Sequence, residues 1–167
     1  MGTVRQLLAP EEARFLSSSF PQIVQNNGSN FPVTGLAFDS GATETAYFKR
    51  RLVSYGSGNI TINLTWYADT ASSGVVRWSG AIACITPDTD TQDVETKAFA
   101  SSTDTDDTHL GTTGQRLHQM SLAINNLDSA AAGDVVWIKI SRLGAHANDT
   151  MSGDAILVEA ELSYSDT

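Results

Sequence analysis

The sequence predicts an all-β fold, an antiparallel β-sandwich of jelly-roll type preceded by an extended N-terminal arm with one short helix. Three observations predict it. From about residue 33 onward apolar and polar residues alternate with a period of two, the pattern of strands that bury one face. Clusters of Gly, Asp, Ser and Thr separate these runs, and helical periodicity is almost absent. At 167 residues the chain suits a single domain with one core.

Taken in order, residues 1–30 form the arm and residues 31–167 the sandwich domain. In the arm, Pro10-Glu11-Glu12-Ala13-Arg14-Phe15-Leu16 places Pro and two acids at the start of a short segment, which favours one or two helical turns ending at Ser17-Ser18-Ser19. Gln25-Asn26-Asn27-Gly28-Ser29-Asn30 reads as a flexible linker. Such an arm either folds back on its own domain or docks on a neighbouring subunit. Its apolar residues Leu7, Leu8, Phe15, Leu16 and Phe20 are the contact candidates.

Two weaker strands are expected over Val33 to Phe38 and Thr43 to Val53. The clearest one runs from Asn59 to Ala68, where Ile60, Ile62, Leu64 and Trp66 alternate with Thr61, Asn63, Thr65 and Tyr67. In Val75 to Ile85 the buried face is Val76, Trp78, Ile82 and Cys84, and Gly80 marks a bulge or a close backbone approach. Ala71-Ser72-Ser73-Gly74 is expected to close a hairpin between them. Further strands carry His118-Met120-Leu122-Ile124, Val136-Ile138-Ile140 and Ile156-Val158-Ala160-Leu162-Tyr164. The last two are entered through Gly133-Asp134 and Gly153-Asp154, where Gly permits positive φ and Asp bonds nearby amides. Pro87 to Thr113 is Asp-, Thr- and Ser-rich and predicts a surface excursion with one short element. A jelly roll is preferred to an immunoglobulin-like sandwich, because the paired cysteines flanking a tryptophan are missing.

Charge and composition narrow the partners. The formal net charge is −9, and the only clustered basic residues are Lys49-Arg50-Arg51, so neither nucleic acid nor an anionic membrane is expected as a partner. Three consecutive strand residues point to alternating faces, which makes the triplet a solvated edge or a set of local ion pairs. No apolar run approaches the ~18 residues of a membrane span, and the N-terminus lacks a signal-peptide pattern, so synthesis in a cytoplasm is expected. Cys84 is the single cysteine, which excludes an intrachain disulfide and reads as a small buried hydrophobe.

No catalytic constellation emerges, and no enzyme activity, cofactor or metal is expected. There is no Gly-x-Ser-x-Gly elbow and no phosphate-binding loop, and His109, His118 and His146 stand in unrelated contexts, as solvated or structural residues. One Cys and three dispersed His provide no zinc spacing. Asp88, Asp90 and Asp93, and separately Asp104, Asp106 and Asp107, could bring hard oxygen ligands together for calcium, but neither run has the Gly and Glu of an EF-hand loop. A solvated acidic loop is the expectation for both.

Two stretches carry a resemblance. They are Trp66-Tyr67-Ala68-Asp69-Thr70-Ala71-Ser72-Ser73-Gly74-Val75-Val76-Arg77-Trp78, and Arg142-x-Gly144 leading through Asp149-Thr150-Met151-Ser152-Gly153-Asp154-Ala155 to Tyr164. Over residues 60–165 the chain resembles jelly-roll-like structural proteins of tailed bacteriophages, including capsid decoration (cement) proteins. The resemblance implies a homotrimer bound to a major capsid protein on the outer surface of the virion. It implies no chemistry: the two tryptophans would fill the core and the Asp- and Gly-rich segments would shape turns. The alternative is a carbohydrate-binding or fibre module for attachment, using aromatics such as Tyr67 or Trp137 on outward strand faces.

Overall fold

The computed structural model of the protein describes residues 1–166. It is an antiparallel two-sheet sandwich of ten strands: β1 (Thr3–Leu8), β2 (Gln22–Asn27), β3 (Pro32–Phe38), β4 (Thr43–Arg51), β5 (Tyr55–Ala68), β6 (Val75–Ile85), β7 (Thr103–Thr108), β8 (His118–Ile124), β9 (Val135–Leu143) and β10 (Ala155–Asp166). One sheet has the order β2-β3-β10-β5-β8, with β1 also on β10, and the other has the order β4-β9-β6-β7. The pairs β3–β10, β4–β9, β5–β8 and β6–β7 are nested one inside the next, which is the jelly-roll arrangement. Each expected strand forms, and the short element foreseen in the Pro87–Thr113 excursion is β7.

The core lies between the sheets and follows from the alternation. Ile60, Ile62, Leu64 and Trp66 of β5 face Val76, Trp78 and Ile82 of β6, all fully buried, and the Trp66 and Trp78 rings lie 6.1 Å apart across the interior. A Cβ on Gly80 would come within 3.0 Å of Leu122 and 3.3 Å of Ile62 and Ile124, so Gly80 is a close approach between the sheets rather than a bulge.

Three expectations need correction. Residues 71–74 do not close a hairpin, because β5 and β6 belong to opposite sheets. Each strand has its own large apolar face, and both faces reach the core only when the chain crosses over; Gly74 makes the crossing at φ +106°, against the backbone of Met151. The short helix of the arm is a single 3-10 turn, Pro10–Glu12. The chain is already extended at Ala13, and Arg14 then exchanges backbone hydrogen bonds with Tyr47 (2.9 and 3.0 Å), a partner that a longer helix would lose. The segment read as a linker is strand up to Asn27, since β2 pairs with β3 from Gln22–Ala37 to Asn27–Pro32.

Of the two fates open to residues 1–30, folding back on the same chain is the one seen. β1 pairs with the C-terminal half of β10, from Thr3–Ser165 to Leu8–Ala160, while β3 occupies the same edge of β10 further along, at Ala155–Leu157. Leu8 is in the core, and Gln6 donates through Nε2 to Tyr164 Oη at 2.9 Å. Among the described residues no helix is long and apolar enough to cross a membrane.

Candidate functional site

At one end, one sheet is apolar on both faces, and that is where a site forms. Three unbroken apolar runs lie side by side: Leu36-Ala37-Phe38, Trp66-Tyr67-Ala68 and Ala155-Ile156-Leu157. Strand geometry sends alternate side chains to opposite faces, so Leu36, Phe38, Trp66, Ala155 and Leu157 enter the core while Ala37, Ile156 and Tyr67 form a row on the outside. A β-bulge between Leu157 and Glu159 then leaves Val158 as an extra residue on β10. Val158 joins the outer cluster, and the core alternation resumes at Ala160. The expected inward set of Ile156, Val158, Ala160, Leu162 and Tyr164 is therefore corrected: the bulge reverses the parity, and Ile156 and Val158 face out.

Tyr67 and Val158 of this outer cluster open onto a groove of about 600 Å3. Tyr67, Val158 and Val33 line its base, the tip of the β2–β3 hairpin forms one wall with Asn26, Asn27, Gly28, Ser29 and Phe31, and Gln115 and Leu117 from the β7–β8 loop form the other. Asn26 Nδ2 donates to Tyr67 Oη at 2.7 Å, which fixes the phenol against the hairpin. The hairpin tip is a tight turn in which Gly28 N donates to Phe31 O. Phe31 is 69% exposed and Leu117 58%, so each wall carries an uncovered apolar side chain above polar amides. Among the described residues no charged one lines the groove.

Two buried histidines hold the second wall. His109 Nδ1 accepts from Gly111 N at 2.9 Å and its Nε2 faces Gly114 O at 3.3 Å, so one neutral tautomer satisfies both contacts. His118 stacks on Trp66 with ring centroids 4.4 Å apart, and its Nε2 accepts from Leu110 N at 2.9 Å. Burial and the neighbouring His109 hold the His118 pKa below its ordinary value, with Asp107 pulling the other way. Both histidines are structural braces for the loop that bears Gln115 and Leu117.

The residues singled out in the sequence are dispersed. Leu8 is fully buried, Leu7 and Leu16 are exposed, and Phe15 and Phe20 are half-buried with rings 5.5 Å apart. Among the described residues no group of three or more His, Cys, Asp or Glu side chains could hold a metal ion. Strand β7 sends Asp104 and Asp106 to Arg77 and turns Asp107 to accept from Trp66 Nε1 at 2.8 Å, while Asp90 accepts from Thr86 N and Asp93 from Glu95 N. Tyr67 lies in the groove just described. Trp137 lies half-buried on the outer face of the other sheet.

No protein-family model and no curated protein matches the chain. Solved structures do. A carbohydrate-binding module of the CBM28 group, specific for non-crystalline cellulose, aligns with a TM-score of 0.54 at 6% identity, over 93% of this chain and 89% of the other. The family 11 module from Clostridium thermocellum, in complex with a β-1,3-1,4-mixed-linked tetrasaccharide, gives 0.51 at 8% identity, over 95% and 94%. The CBM36-1 domain of a multidomain xylanase from the hindgut metagenome of Trinervitermes trinervoides gives 0.50 at 13% identity, over 98% and 100%. The chain shares its fold with carbohydrate-binding modules. At these identities the likeness is one of architecture. It corrects the expectation of a capsid decoration protein: the fold neighbours are saccharide-binding sandwiches, and nothing in them points to a capsid.

Of the groove residues, only Tyr67 was singled out from sequence as an outward aromatic. Phe31, Asn26, Asn27, Gln115 and Leu117 were missed: Asn26 and Asn27 fall in the segment read as a linker, and Phe31, Gln115 and Leu117 lie between the expected elements. The available signal was the pair of unbroken apolar runs Trp66-Tyr67-Ala68 and Ala155-Ile156-Leu157-Val158, where alternation fails and both sheet faces must be apolar.

Proposed function

We propose that this chain is a non-catalytic saccharide-binding module whose groove over Tyr67 takes a neutral oligosaccharide. The observation that carries the reading is the composition of that groove: an apolar floor and an exposed aromatic ring, flanked by Asn and Gln amides, with no charge, in a chain of net charge −9. A sugar ring offers C–H faces that lie on apolar and aromatic surface, and hydroxyls that both donate and accept. Asn27 and Gln115 each supply two donors and an acceptor, which matches hydroxyl chemistry without favouring an ion. Among the described residues the lining holds no carboxylate, histidine or thiol to act as acid, base or nucleophile, which supports binding over turnover. That sandwiches of this fold include one in complex with a mixed-linked tetrasaccharide makes glucan oligosaccharides the first ligands to test.

Titration calorimetry with neutral gluco- and xylo-oligosaccharides tests the reading on the intact chain. Binding is expected, with Phe31→Ala and Gln115→Ala each weakening it about tenfold or more. Failure of every neutral oligosaccharide to bind, or binding that Phe31→Ala leaves unchanged, overturns it.

A further inference from the structure

The other sheet carries a groove of opposite character. We infer that it is a second saccharide site, selective for a carboxylate-bearing sugar such as a uronic acid. The groove, of about 470 Å3, lies outside β4 and β9. Lys49 of β4 pairs directly with Trp137 of β9, Tyr47 pairs with Lys139, and the backbone bridge between Arg14 and Tyr47 brings the arm alongside. Arg14, Tyr47, Lys49 and Trp137 thus meet from three separate segments.

The charges favour an anion. Arg5, Arg50, Arg77, Lys97 and Arg142 are each in ion pairs, whereas the other five, Arg14, Lys49, Arg51, Arg116 and Lys139, have no carboxylate within 4.0 Å among the described residues. Three of these five, Arg14, Lys49 and Lys139, lie beside Tyr47 and Trp137 on this face, and Arg14 and Lys49 line the groove itself. Of the two acids lining the groove, Glu12 is engaged by Arg50 and by Ala9 N, which leaves Glu11 as the one acid without an ion-pair partner. Arg14 spends one guanidinium nitrogen, Nη1, on the carbonyls of Glu12 and Ala13, and its other nitrogens make no hydrogen bond within the described residues. A carboxylate bridging Arg14 and Lys49 would leave its sugar ring against Trp137 and Tyr47, pairing charge with a flat apolar surface. The groove over Tyr67 has the aromatic surface and lacks the charge, so the two sites would divide acidic from neutral sugars.

Trp137 makes the idea directly readable, since Trp66 and Trp78 are fully buried and only Trp137 is open to a ligand. Trigalacturonate is titrated against the intact chain with tryptophan emission as the readout, alongside its methyl ester, which keeps the sugar and removes the charge. The expected result is a saturable emission change with the acid, at least tenfold weaker affinity for the ester, and weakening in 0.5 M salt. Lys49→Gln and Arg14→Gln, both at exposed positions, are each expected to lower affinity tenfold or more. Phe31→Ala is expected to have no effect, which separates this site from the neutral-sugar groove. Equal affinity for acid and ester, no emission change, insensitivity to Lys49→Gln, or equally tight binding of a polyglutamate peptide would each overturn the inference.

Discussion

Arg142 and Asp149 form an ion pair in which neither side chain has any exposed surface, with Nη2 and Oδ1 2.7 Å apart. The guanidinium uses all five of its N–H groups: two on Asp149, and three on the carbonyls of Phe38, Gly153 and Met151. Asp149 also accepts from Arg77 N at 3.0 Å. One residue therefore ties β9 to the 144–154 loop and to the end of β3, at the head of the strand row that floors the groove. Because a buried charge without its partner is strongly unfavourable, Asp149→Ala and Arg142→Ala are each expected to cost about 3–5 kcal/mol. The double variant is expected to cost less than their sum, and urea unfolding of the three variants measures the coupling.

The N-terminal strand makes a second prediction. β1 covers the edge of β10 from Ala160 to Ser165 and sends Leu8 into the core. Removing residues 1–8 opens that edge and leaves a cavity. Leu8→Ala alone is expected to cost about 2–5 kcal/mol. The deletion is expected to cost more and to aggregate through the freed edge, as read by unfolding midpoint and light scattering.

Acid should weaken the fold through His118. The folded protein holds this ring neutral below its ordinary value of 6.5, through burial and then the proximity of His109, and the neutral ring accepts from Leu110 N. In the unfolded chain His118 takes up a proton near pH 6.5 while the folded chain resists it. The stabilisation is therefore complete above about pH 6.5 and declines as pH falls through that value toward the lowered folded one. For one proton the slope cannot exceed about 1.4 kcal/mol per pH unit. Unfolding midpoints across pH 7.5 to 5 are expected to show this decline and His118→Gln to flatten it.

How much of this was legible in the sequence depended on whether one periodicity ruled a segment. Strands with a clean alternation, such as Ile60 to Trp66, were readable because one face alone is buried, and Trp66, Trp78 and Cys84 lie in the core as expected. The arm was harder: Val4, Gln6 and Leu8 turn inward on β1, but with Gln in the middle the apolar period is broken, and only the partner strand reveals it. The crossing of β5 to β6 was misread as a hairpin because turn chemistry is the same whether the chain returns beside itself or across the core. The groove was invisible in part because the bulge at Val158 reverses which residues of β10 face out, a register shift seen only when β10 is paired with β5.

Cys84 should be inert. Its thiol is buried, and its pKa is pushed up to about 12 by that burial and then by the nearby carboxylates of Asp134 and Asp128. The thiolate that reacts with disulfide reagents is therefore scarce at neutral pH. Reaction with an aromatic disulfide reagent is expected only after denaturation, and a rapid native-state reaction would show that β6 opens locally.

The bond from Asn26 to Tyr67 links stability to the site. Tyr67 is 6% exposed, and its hydroxyl meets Asn26 on the hairpin that also carries Phe31. Tyr67→Phe keeps the ring on the floor and removes only that hydroxyl. A stability loss of about 1 kcal/mol is expected, from the lost bond and the Asn26 amide left seeking water. Because the hairpin tip loses its tether, the affinity for neutral oligosaccharide should fall as well, while the tryptophan response to trigalacturonate should not. A Tyr67→Phe variant that binds the neutral sugar as tightly as the parent chain would show that the hairpin is held in place without this bond, and that Phe31 owes its position to β2–β3 pairing alone.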